Sequence, residues 1–333
     1  MNGLLTATLA AWAVFPGTFT DTTGERLGGV SSLRWDVAAQ ELIVLSDRGQ
    51  GDGTFPHQPR FHRFGLTVVG NRLDLRLLQS VPFRDDAGRA FSGLIVTTSP
   101  RIDPEGLALD RDGSLWVSDE YGPGVYNFGR DGKARRRLDP PADFVPGAGK
   151  GRVDNRGFEN LCLSPDGRRL LTLLQSPLAQ EGGKKGKTTR GLLWDLSAAT
   201  AAPHAVSAPM PLVPEGLSGK DVMYNECEWA DADTLLLLER DNRGLGADAG
   251  DDGPPRLKGL RLAELQADGA LVLGEALDLL GLLARGGVDI SRVPAKFESV
   301  AWGPRLGGRP TVLVAVDNDF EPSLPTWFFL LKL

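Results

Sequence analysis

The chain repeats one pattern five times: a short strand that opens on a polar residue, a tight turn, and a second strand that ends on a polar residue. The clearest copy spans residues 103–126, where Glu105 opens the first strand, Asp112 and Gly113 form the turn and Asp119 ends the second strand. Antiparallel pairing brings the start of one strand and the end of the next to the same edge. Each copy is therefore predicted to present two polar side chains together.

The other copies align on Glu105 with alternating apolar residues behind the opening position, as buried strands require. The opening residues are Ser31, Glu105, Glu159, Asn225 and Glu298, and the returning strands end at Asp47, Asp119, Gln175, Glu239 and Asp317. The fourth copy leaves two alternatives, because a shift of one residue would place Glu226 rather than Asn225 at the opening position.

The intervals between copies are long enough for a four-stranded antiparallel sheet in each. Third strands are predicted at residues 60–68, 125–128, 191–196, 259–265 and 327–333. The last copy lacks a fourth strand, which the apolar segment 4–15 would supply. The sequence predicts an all-β fold: a single β-propeller domain over residues 1–333, with five blades, or six if a copy has diverged, and a ring closed by the N-terminal strand.

The net charge, the apolar N-terminal segment and the two cysteines indicate which kinds of partner and which thiol state to expect. The net charge is −6 and there is no long basic run, which argues against nucleic-acid binding. Segment 4–15 lacks a basic flank and is shorter than the ~20 residues of a membrane span, so we expect no membrane association and no signal peptide in this sequence. We also expect the protein to be a monomer. Cys162 and Cys227 are too few for a disulfide framework and are expected to be buried free thiols.

Carboxylates at the opening and closing positions would converge at one face and repel each other unless a cation neutralises them. All-oxygen donors favour Ca²⁺, with Mg²⁺ as a second possibility, over Zn²⁺. The predicted metal ligands are Asp47, Glu105, Glu159, Asn225 or Glu226, Glu239, Glu298 and Asp317.

Basic and amide side chains next to these acids are candidates for binding a substrate. Arg48 follows Asp47 and Arg240 follows Glu239, where bidentate contacts to a phosphate or carboxylate could form. The weaker candidates Asn155 and Arg156 precede Glu159, and Asn318 follows Asp317. Asp119 or Glu120 is the expected general base, and Arg48 and Arg240 the expected catalytic cations. G-x-S-x-G, HExxH and phosphate-loop motifs are absent from the sequence.

Five blocks of the sequence resemble the esterase-like phytase domain family. They are GGVSSLRWD with LSDRG, DPEGLALD with LWVSDE, NRGFENLCLSPDG, LLLLERD, and FESVAWGPRL with VAVDNDF. The resemblance implies a β-propeller with acidic residues at its centre that hydrolyses phosphate or other esters, often in exported bacterial proteins, which favours a periplasmic or secreted location. The family's acidic positions fall on Asp47, Glu105, Asp119, Glu159, Glu239, Glu298 and Asp317, and its arginine positions on Arg48 and Arg240. The chain departs from the pattern at Ser31, Gln175 and the Asn225-Glu226 block.

The sequence thus predicts a Ca²⁺-dependent hydrolase that acts on a small phosphate ester, with a cation that stabilises the reacting oxygen. A calcium-dependent lactonase or arylesterase is the alternative enzyme, since calcium propellers similar to paraoxonase and gluconolactonase use such a site for carboxylic esters. A metal-binding scaffold without catalysis is the alternative from another class.

Overall fold

The computed structural model describes residues 4–197, 202–247 and 253–333, and strands dominate it. The α-helices are short, Gln50–Gly53 and Leu279–Arg285, and 3-10 turns occur at Leu4–Thr6, Ala179–Glu181, Gly183–Lys185, Gly219–Asp221 and Ile290–Arg292. In the part of the chain that the structure describes, every helix is too short or too polar to cross a membrane. The all-β class predicted from the sequence is confirmed.

The strands follow each other as antiparallel hairpins. In chain order they are β1 (Thr8–Phe15), β2 (Val30–Asp36), β3 (Glu41–Ser46), β4 (Arg60–Val69), β5 (Arg72–Pro82), β6 (Pro104–Leu109), β7 (Leu115–Asp119), β8 (Gly124–Phe128), β9 (Ala134–Leu138), β10 (Cys162–Leu163), β11 (Arg169–Leu173), β12 (Thr188–Asp195), β13 (His204–Pro209), β14 (Val222–Trp229), β15 (Thr234–Asp241), β16 (Lys258–Leu265), β17 (Leu271–Asp278), β18 (Lys296–Leu306), β19 (Arg309–Asp317) and β20 (Thr326–Lys332).

Three sheets contain four consecutive strands each, β6 to β9, β10 to β13 and β14 to β17, and an eight-stranded sheet has the order β18-β19-β20-β1-β5-β4-β3-β2. The eight-stranded sheet has two halves, which a single parallel pair between Trp12 of β1 and Arg72 of β5 connects. Strand β1 pairs antiparallel with β20, and Trp12 lies opposite Phe329. The N-terminal strand therefore supplies the fourth strand to the sheet of the last hairpin.

The first strand of each hairpin contacts the first strand of the next. Strand β2 contacts β6, β6 contacts β10, β10 contacts β14, β14 contacts β18, and β18 contacts β2. The order in which these strands touch is cyclic, which is typical of a β-propeller-like arrangement.

Apolar side chains fill the spaces between neighbouring sheets. The residues two positions after each opening residue, Leu33, Leu107, Leu161, Cys227 and Val300, are fully buried. Between the β2–β5 and β6–β9 sheets, for example, Ile43 and Phe61 pack with Leu107 and Phe128. Each fully buried side chain of this size stabilises the fold by roughly 1.5–3 kcal/mol relative to its exposed state. The core therefore holds the sheets, and with them the hairpin edges, in fixed positions.

The expectation of free thiols is wrong, because Cys162 and Cys227 form a disulfide, with their Cα atoms 5.8 Å apart. Cys162 lies on β10 and Cys227 on β14, which contact each other. The bridge therefore joins the first strands of two neighbouring sheets.

Candidate functional site

The opening residues lie at irregularities in the first strands of their sheets. The strand register shifts between Val30 and Ser32, between Pro104 and Leu107, between Tyr224 and Glu226, and between Phe297 and Ser299. The residues at these bulges include Ser31, Glu105, Asn225 and Glu298, and Glu159 takes the corresponding position just after the isolated bridge of Phe158 with Leu174. A β-bulge redirects the side chain of its extra residue. Five equivalent side chains thus occupy the same edge of their sheets.

The second strand of each hairpin contributes a partner side chain from the same edge. In each copy, the residue two positions before the opening residue pairs through its backbone with one residue of the second strand or just after it. These equivalent partners are Asp47, Glu120, Gln175, Arg240 and Asp317. Three of them match the predicted strand ends. In the second and fourth copies the partner is the residue after the predicted one.

Asp119 and Glu239 were predicted at this edge, but their side chains point elsewhere. Asp119 Oδ1 accepts hydrogen bonds from the backbone N–H groups of Asp103 (3.1 Å) and Tyr121 (3.3 Å), so its carboxylate fixes the loop. Both carboxylate oxygens of Glu239 accept hydrogen bonds of 2.9 Å from Arg261. Successive side chains in a strand point to opposite faces, so a difference of one residue changes the surroundings completely.

The equivalent side chains other than Asn225 line a polar cavity of about 290 Å³, which we call the acidic pocket. Its ionisable lining consists of Asp47, Asp52, Glu105, Glu120, Glu159, Glu298, Asp317, Asp319, Arg156, Arg240 and Lys296. Asn155, Asn242, Gln175 and Ser31 add neutral polar groups. The pocket therefore brings an excess of carboxylates together with three cations.

Two groups of three carboxylates lie close enough to share a cation. Oxygens of Asp47, Asp317 and Asp319 lie within 4.8 Å of one another, and so do oxygens of Asp103, Glu105 and Glu120. We call them the Asp47 triad and the Asp103 triad. Burial, and next to it the charge of Asp317, raises the pKa of Asp47 to about 8. Burial and neighbouring acids likewise raise the pKa values of Asp103 and Glu105 well above their usual range.

Glu159 and Glu298 form a third acidic group, which amide donors hold together. Asn225 Nδ2 donates to Glu159 Oε1 (2.9 Å) and also to Glu298 Oε2. Gln175 Nε2 donates to the same Glu159 oxygen, and Arg240 Nη2 donates to Glu298 Oε1 (2.9 Å). Side-chain amide and guanidinium donors thus hold both of these carboxylates.

Glu226, the alternative to Asn225, lies outside the acidic pocket. It is fully buried, and its carboxylate forms an ion pair of 3.2 Å with Arg34 and accepts a hydrogen bond from Ser32. Arg34 also donates to the backbone oxygens of Leu161 (2.7 Å) and Cys227 (2.9 Å). Of the two alternatives, Asn225 is the residue that contacts the pocket's carboxylates.

The predicted substrate residues separate into two groups. Arg156, Asn155 and Arg240 line the pocket. Arg48 lies behind it: its Nε is 3.2 Å from Asp103 Oδ2, and its guanidinium stacks 3.8 Å from the centre of the Tyr121 ring. Asn318 is also outside the lining, because its amide holds backbone groups of Leu27, Leu324 and Phe320.

The sequence pattern did not predict four charged residues at or beside the pocket, which are Asp52, Asp103, Lys296 and Asp319. Lys296 Nζ lies 2.8 Å from Asp319 Oδ2, and although burial opposes its charge, Asp319 and Glu298 raise the pKa of Lys296 above its ordinary value. Asp103 and Lys296 both stand two positions before an opening residue. The available signal was therefore a charge at that position in two of the five copies.

A family model described as esterase-like activity of phytase, under the name phytase-like, matches residues 25–320. An uncharacterized secreted protein of Arthroderma benhamiae is 29% identical in an aligned region that covers 58% of this chain and 53% of that protein. The chain thus spans about half the length of the curated relative it matches.

Among solved structures, an exo-β-1,3-galactanase from Phanerochaete chrysosporium has a TM-score of 0.50 and 9% identity over 96% of this chain and 64% of that one. The Malassezia sympodialis allergen Mala s 1 has a TM-score of 0.45 and 13% identity over 93% of this chain and 80% of that one. At such identities the galactanase supports the fold alone.

Proposed function

Because this chain belongs to the phytase-like family, we propose that it hydrolyses phosphate esters in the acidic pocket. The observation that carries the proposal is the composition of this one cavity, where closely spaced carboxylates lie beside Arg240, Arg156 and Lys296. Carboxylates provide hard oxygen ligands for a divalent cation, and the basic side chains provide donors for an anionic ester. Both kinds of group are needed for phosphoryl chemistry at one site.

The donor set fits Ca²⁺ or Mg²⁺. The residues that line the pocket offer carboxylate, amide and hydroxyl oxygens and include no His and no Cys, which Zn²⁺ would favour. When bound, such a cation would supply Lewis-acid stabilisation of the ester oxygen on which negative charge develops. The raised pKa values of Asp47, Asp103 and Glu105 are consistent with carboxylates that bind protons or a cation in its place.

Arg240 is the proposed anion-binding residue. Its Nη2 donates to Glu298 and its Nη1 donates to Asn242 Oδ1 (2.7 Å), which fixes the plane of the guanidinium. Its Nε is buried and has no hydrogen-bond partner within the described structure. A buried donor without a partner is costly, and an anionic oxygen in the pocket would satisfy it. Arg48 takes no part in this proposal, because Asp103 and Tyr121 occupy its guanidinium.

Glu159 is the proposed proton acceptor. The amides of Asn225 and Gln175 hold its Oε1, so the carboxylate has a defined orientation. Burial, followed by the charges of Glu120 and Glu298, raises the pKa of Glu159 well above its usual range. A raised pKa makes the carboxylate a stronger proton acceptor than an ordinary Glu when it is ionised. Glu120, one of the two bases predicted from the sequence, belongs to the Asp103 triad instead.

The proposal is tested with purified protein and four substrates: p-nitrophenyl phosphate, bis-p-nitrophenyl phosphate, p-nitrophenyl acetate and a lactone. Each is assayed with Ca²⁺, with Mg²⁺ and with a chelator. We expect turnover of at least one phosphate ester, its loss on chelation and its return with added cation. Turnover of the acetate or the lactone alone would replace the proposal with the lactonase or arylesterase alternative. The absence of all four activities would support a binding scaffold.

We further propose that the protein is one monomeric domain, in which five four-stranded blades form a ring that β1 closes. The cyclic contacts of β2, β6, β10, β14 and β18 and the pairing of β1 with β20 support this arrangement. Light scattering should give the mass of one chain, 35.7 kDa. A larger mass would contradict the monomer.

We also propose that the protein functions in an oxidising compartment outside the cytoplasm. Its disulfide supports this location, since such bonds persist mainly in secreted and periplasmic proteins. The matched relative from Arthroderma benhamiae is described as secreted. Fractionation of the producing cells, with detection of the disulfide in the recovered protein, checks the location.

A further inference from the structure

We propose that one divalent cation, Ca²⁺ or Mg²⁺, binds at the Asp103 triad, of which Glu105 and Glu120 line the acidic pocket, and that Asp103 is one of its ligands. The inference deepens the proposed function, on which it rests for the role of the cation. It differs from a ring-wide site because Asp103, Glu105 and Glu120 come from a single hairpin and its flanking residues, β6 and β7.

The first support is an oxygen atom without a partner. Asp103 is 3% exposed, and its Oδ1 is buried and has no hydrogen-bond partner within the described structure. The same carboxylate has an oxygen within 4.8 Å of oxygens of Glu105 and Glu120. A buried carboxylate oxygen without a donor is destabilising and calls for a group that satisfies it. A cation that the triad shares would satisfy it.

The second support is the way neighbouring groups hold the triad. Arg48 Nε lies 3.2 Å from the other oxygen of Asp103, and the backbone N–H of Gly157 donates to Glu120 Oε1 (2.9 Å). Such outer contacts orient ligands and leave their remaining oxygens for a metal. Ca²⁺ takes six to eight oxygens and Mg²⁺ six, many of which water can supply.

The charges of the triad also fit a divalent ion. Arg48 pairs with Asp103 and also with the more exposed Asp52, so its charge offsets at most one of the three carboxylates of the triad. The triad therefore keeps an excess of about two negative charges when all three groups are ionised. A divalent cation would neutralise this excess.

The Asp47 triad lacks the unpartnered oxygen, because no carboxylate oxygen of Asp47, Asp317 or Asp319 is buried without a hydrogen-bond partner in the part of the chain that the structure describes. Its oxygens accept hydrogen bonds from the backbone N–H groups of Gly49 (2.6 Å), Val30 (2.7 Å) and Asp319 (2.7 Å). Lys296 supplies a positive charge 2.8 Å from Asp319 Oδ2. The carboxylates of the Asp47 triad therefore need no cation to satisfy them. A substitution in this triad is the matched control for substitutions in the Asp103 triad.

The experiment is calorimetric titration of chelator-stripped protein with CaCl₂ and, separately, with MgCl₂, in the absence of any ester. The variants are Asp103→Asn and Glu120→Gln in one triad and Asp319→Asn in the other, and circular dichroism verifies that each is folded. We expect one strong site per chain, at least tenfold weaker in both Asp103→Asn and Glu120→Gln, and changed less than twofold in Asp319→Asn. The tighter of the two salts identifies the ion.

The inference is overturned if neither ion binds the parent protein, or if the parent binds an ion that the folded Asp103→Asn and Glu120→Gln variants bind equally well. Weaker binding in Asp319→Asn alone would move the site to the Asp47 triad and would also overturn it. Because the titration contains no substrate, it separates the two proposals. A protein that binds the ion at the Asp103 triad but hydrolyses no ester refutes the function and keeps the site.

Discussion

Arg34 and Glu226 form a fully enclosed ion pair, with Arg34 Nη1 3.2 Å from Glu226 Oε2 and Nη2 3.2 Å from Oε1. Arg34 belongs to β2 and Glu226 to β14, so the pair crosses between two sheets that are distant in sequence. The same guanidinium donates to backbone oxygens of Leu161, Cys227 and Val300. One side chain thus connects strands β2, β14 and β18 and the residue just before β10.

Replacing Arg34 with Met should lower the free energy of unfolding by about 3–5 kcal/mol, because Glu226 would keep a buried charge without its partner. Urea unfolding at pH 7 measures the change. The control is Arg135→Met, which removes an exposed ion pair with Asp112 and should cost less than about 1 kcal/mol. Equal effects of the two substitutions would show that the buried pair has no special structural role.

Removing the disulfide should also destabilise the protein. A bridge over 65 residues restricts the unfolded chain, and its loss typically costs about 2–5 kcal/mol. The double variant Cys162→Ala with Cys227→Ala should therefore melt at a lower temperature than the oxidised parent. Added reductant should lower the melting temperature of the parent and leave that of the variant unchanged. Two free thiols in the untreated parent, measured by mass spectrometry after alkylation, would refute the pairing.

Strand β1 allows a test of the seam between the first and last sheets. Ala11 is fully buried in the core shared by both halves of the eight-stranded sheet, whereas Val14, on the same strand, is 44% exposed. Ala11→Asp should abolish cooperative melting or lower its midpoint strongly, since a carboxylate would be buried without a partner. Val14→Asp should melt close to the parent. If both variants melt like the parent, β1 does not form part of the core.

Arg240 distinguishes phosphate esters from neutral esters. Arg240→Met should reduce kcat/KM for a phosphate ester at least ~30-fold, which corresponds to the roughly 2 kcal/mol of a charged hydrogen bond. Activity on a neutral ester should change less than twofold. Arg243→Met, at a residue outside the pocket lining, is the control. A parental rate on phosphate esters in Arg240→Met would remove the anion-binding role and favour a carboxylic ester substrate.

The buried His62 should make the free energy of unfolding fall as the pH is lowered. Burial, opposed by the charge of Asp21, lowers the pKa of His62 from 6.5 to about 3, and its Nδ1 lies 2.9 Å from Ser80 Oγ. The unfolded state then binds the extra proton, so His62 stabilises the fold fully above pH 6.5 and progressively less as the pH falls toward 3. Between pH 7 and pH 5 this group should cost about 2 kcal/mol of unfolding free energy.

The measurement is urea unfolding at several pH values in the parent, in His62→Gln and in His204→Gln. The His62 variant should lose less stability between pH 7 and pH 5 than the parent does, whereas the variant at the exposed His204 should follow the parent. A parallel fall in all three proteins would assign the acid sensitivity to other groups.

The sequence predicted the all-β class and the third strands because both depend on local alternation and turn chemistry. It also identified the opening residues, whose polar character interrupts each apolar strand. It misplaced Asp119 and Glu239 because strand pairing decides which residue faces the pocket: Glu120 pairs with Asp103 and Arg240 with Met223, each one residue beyond the predicted end. Which residues of two strands pair is a tertiary property, and single-sequence periodicity contains no information on it.

Two further features depend on contacts that only the folded chain makes. Cys162 and Cys227 have no diagnostic spacing, and they meet because β10 and β14 belong to neighbouring sheets. Arg48 looked like a substrate residue because it follows Asp47. In the structure, burial and the Asp103 carboxylate direct it away from the pocket.

The pairing of β1 with β20 has a consequence for biosynthesis. Of the strands named here, the ribosome makes β1 first and β20 last, so Trp12 is translated long before its partner Phe329. Until then the edges of two sheets stay open, and open edges invite pairing with other chains. The contact between β1 and β20 joins the two described strands that are most distant in sequence, and such long-range pairing is intrinsically slow. Nascent chains stalled before β20 should accordingly be the aggregation-prone form of this protein.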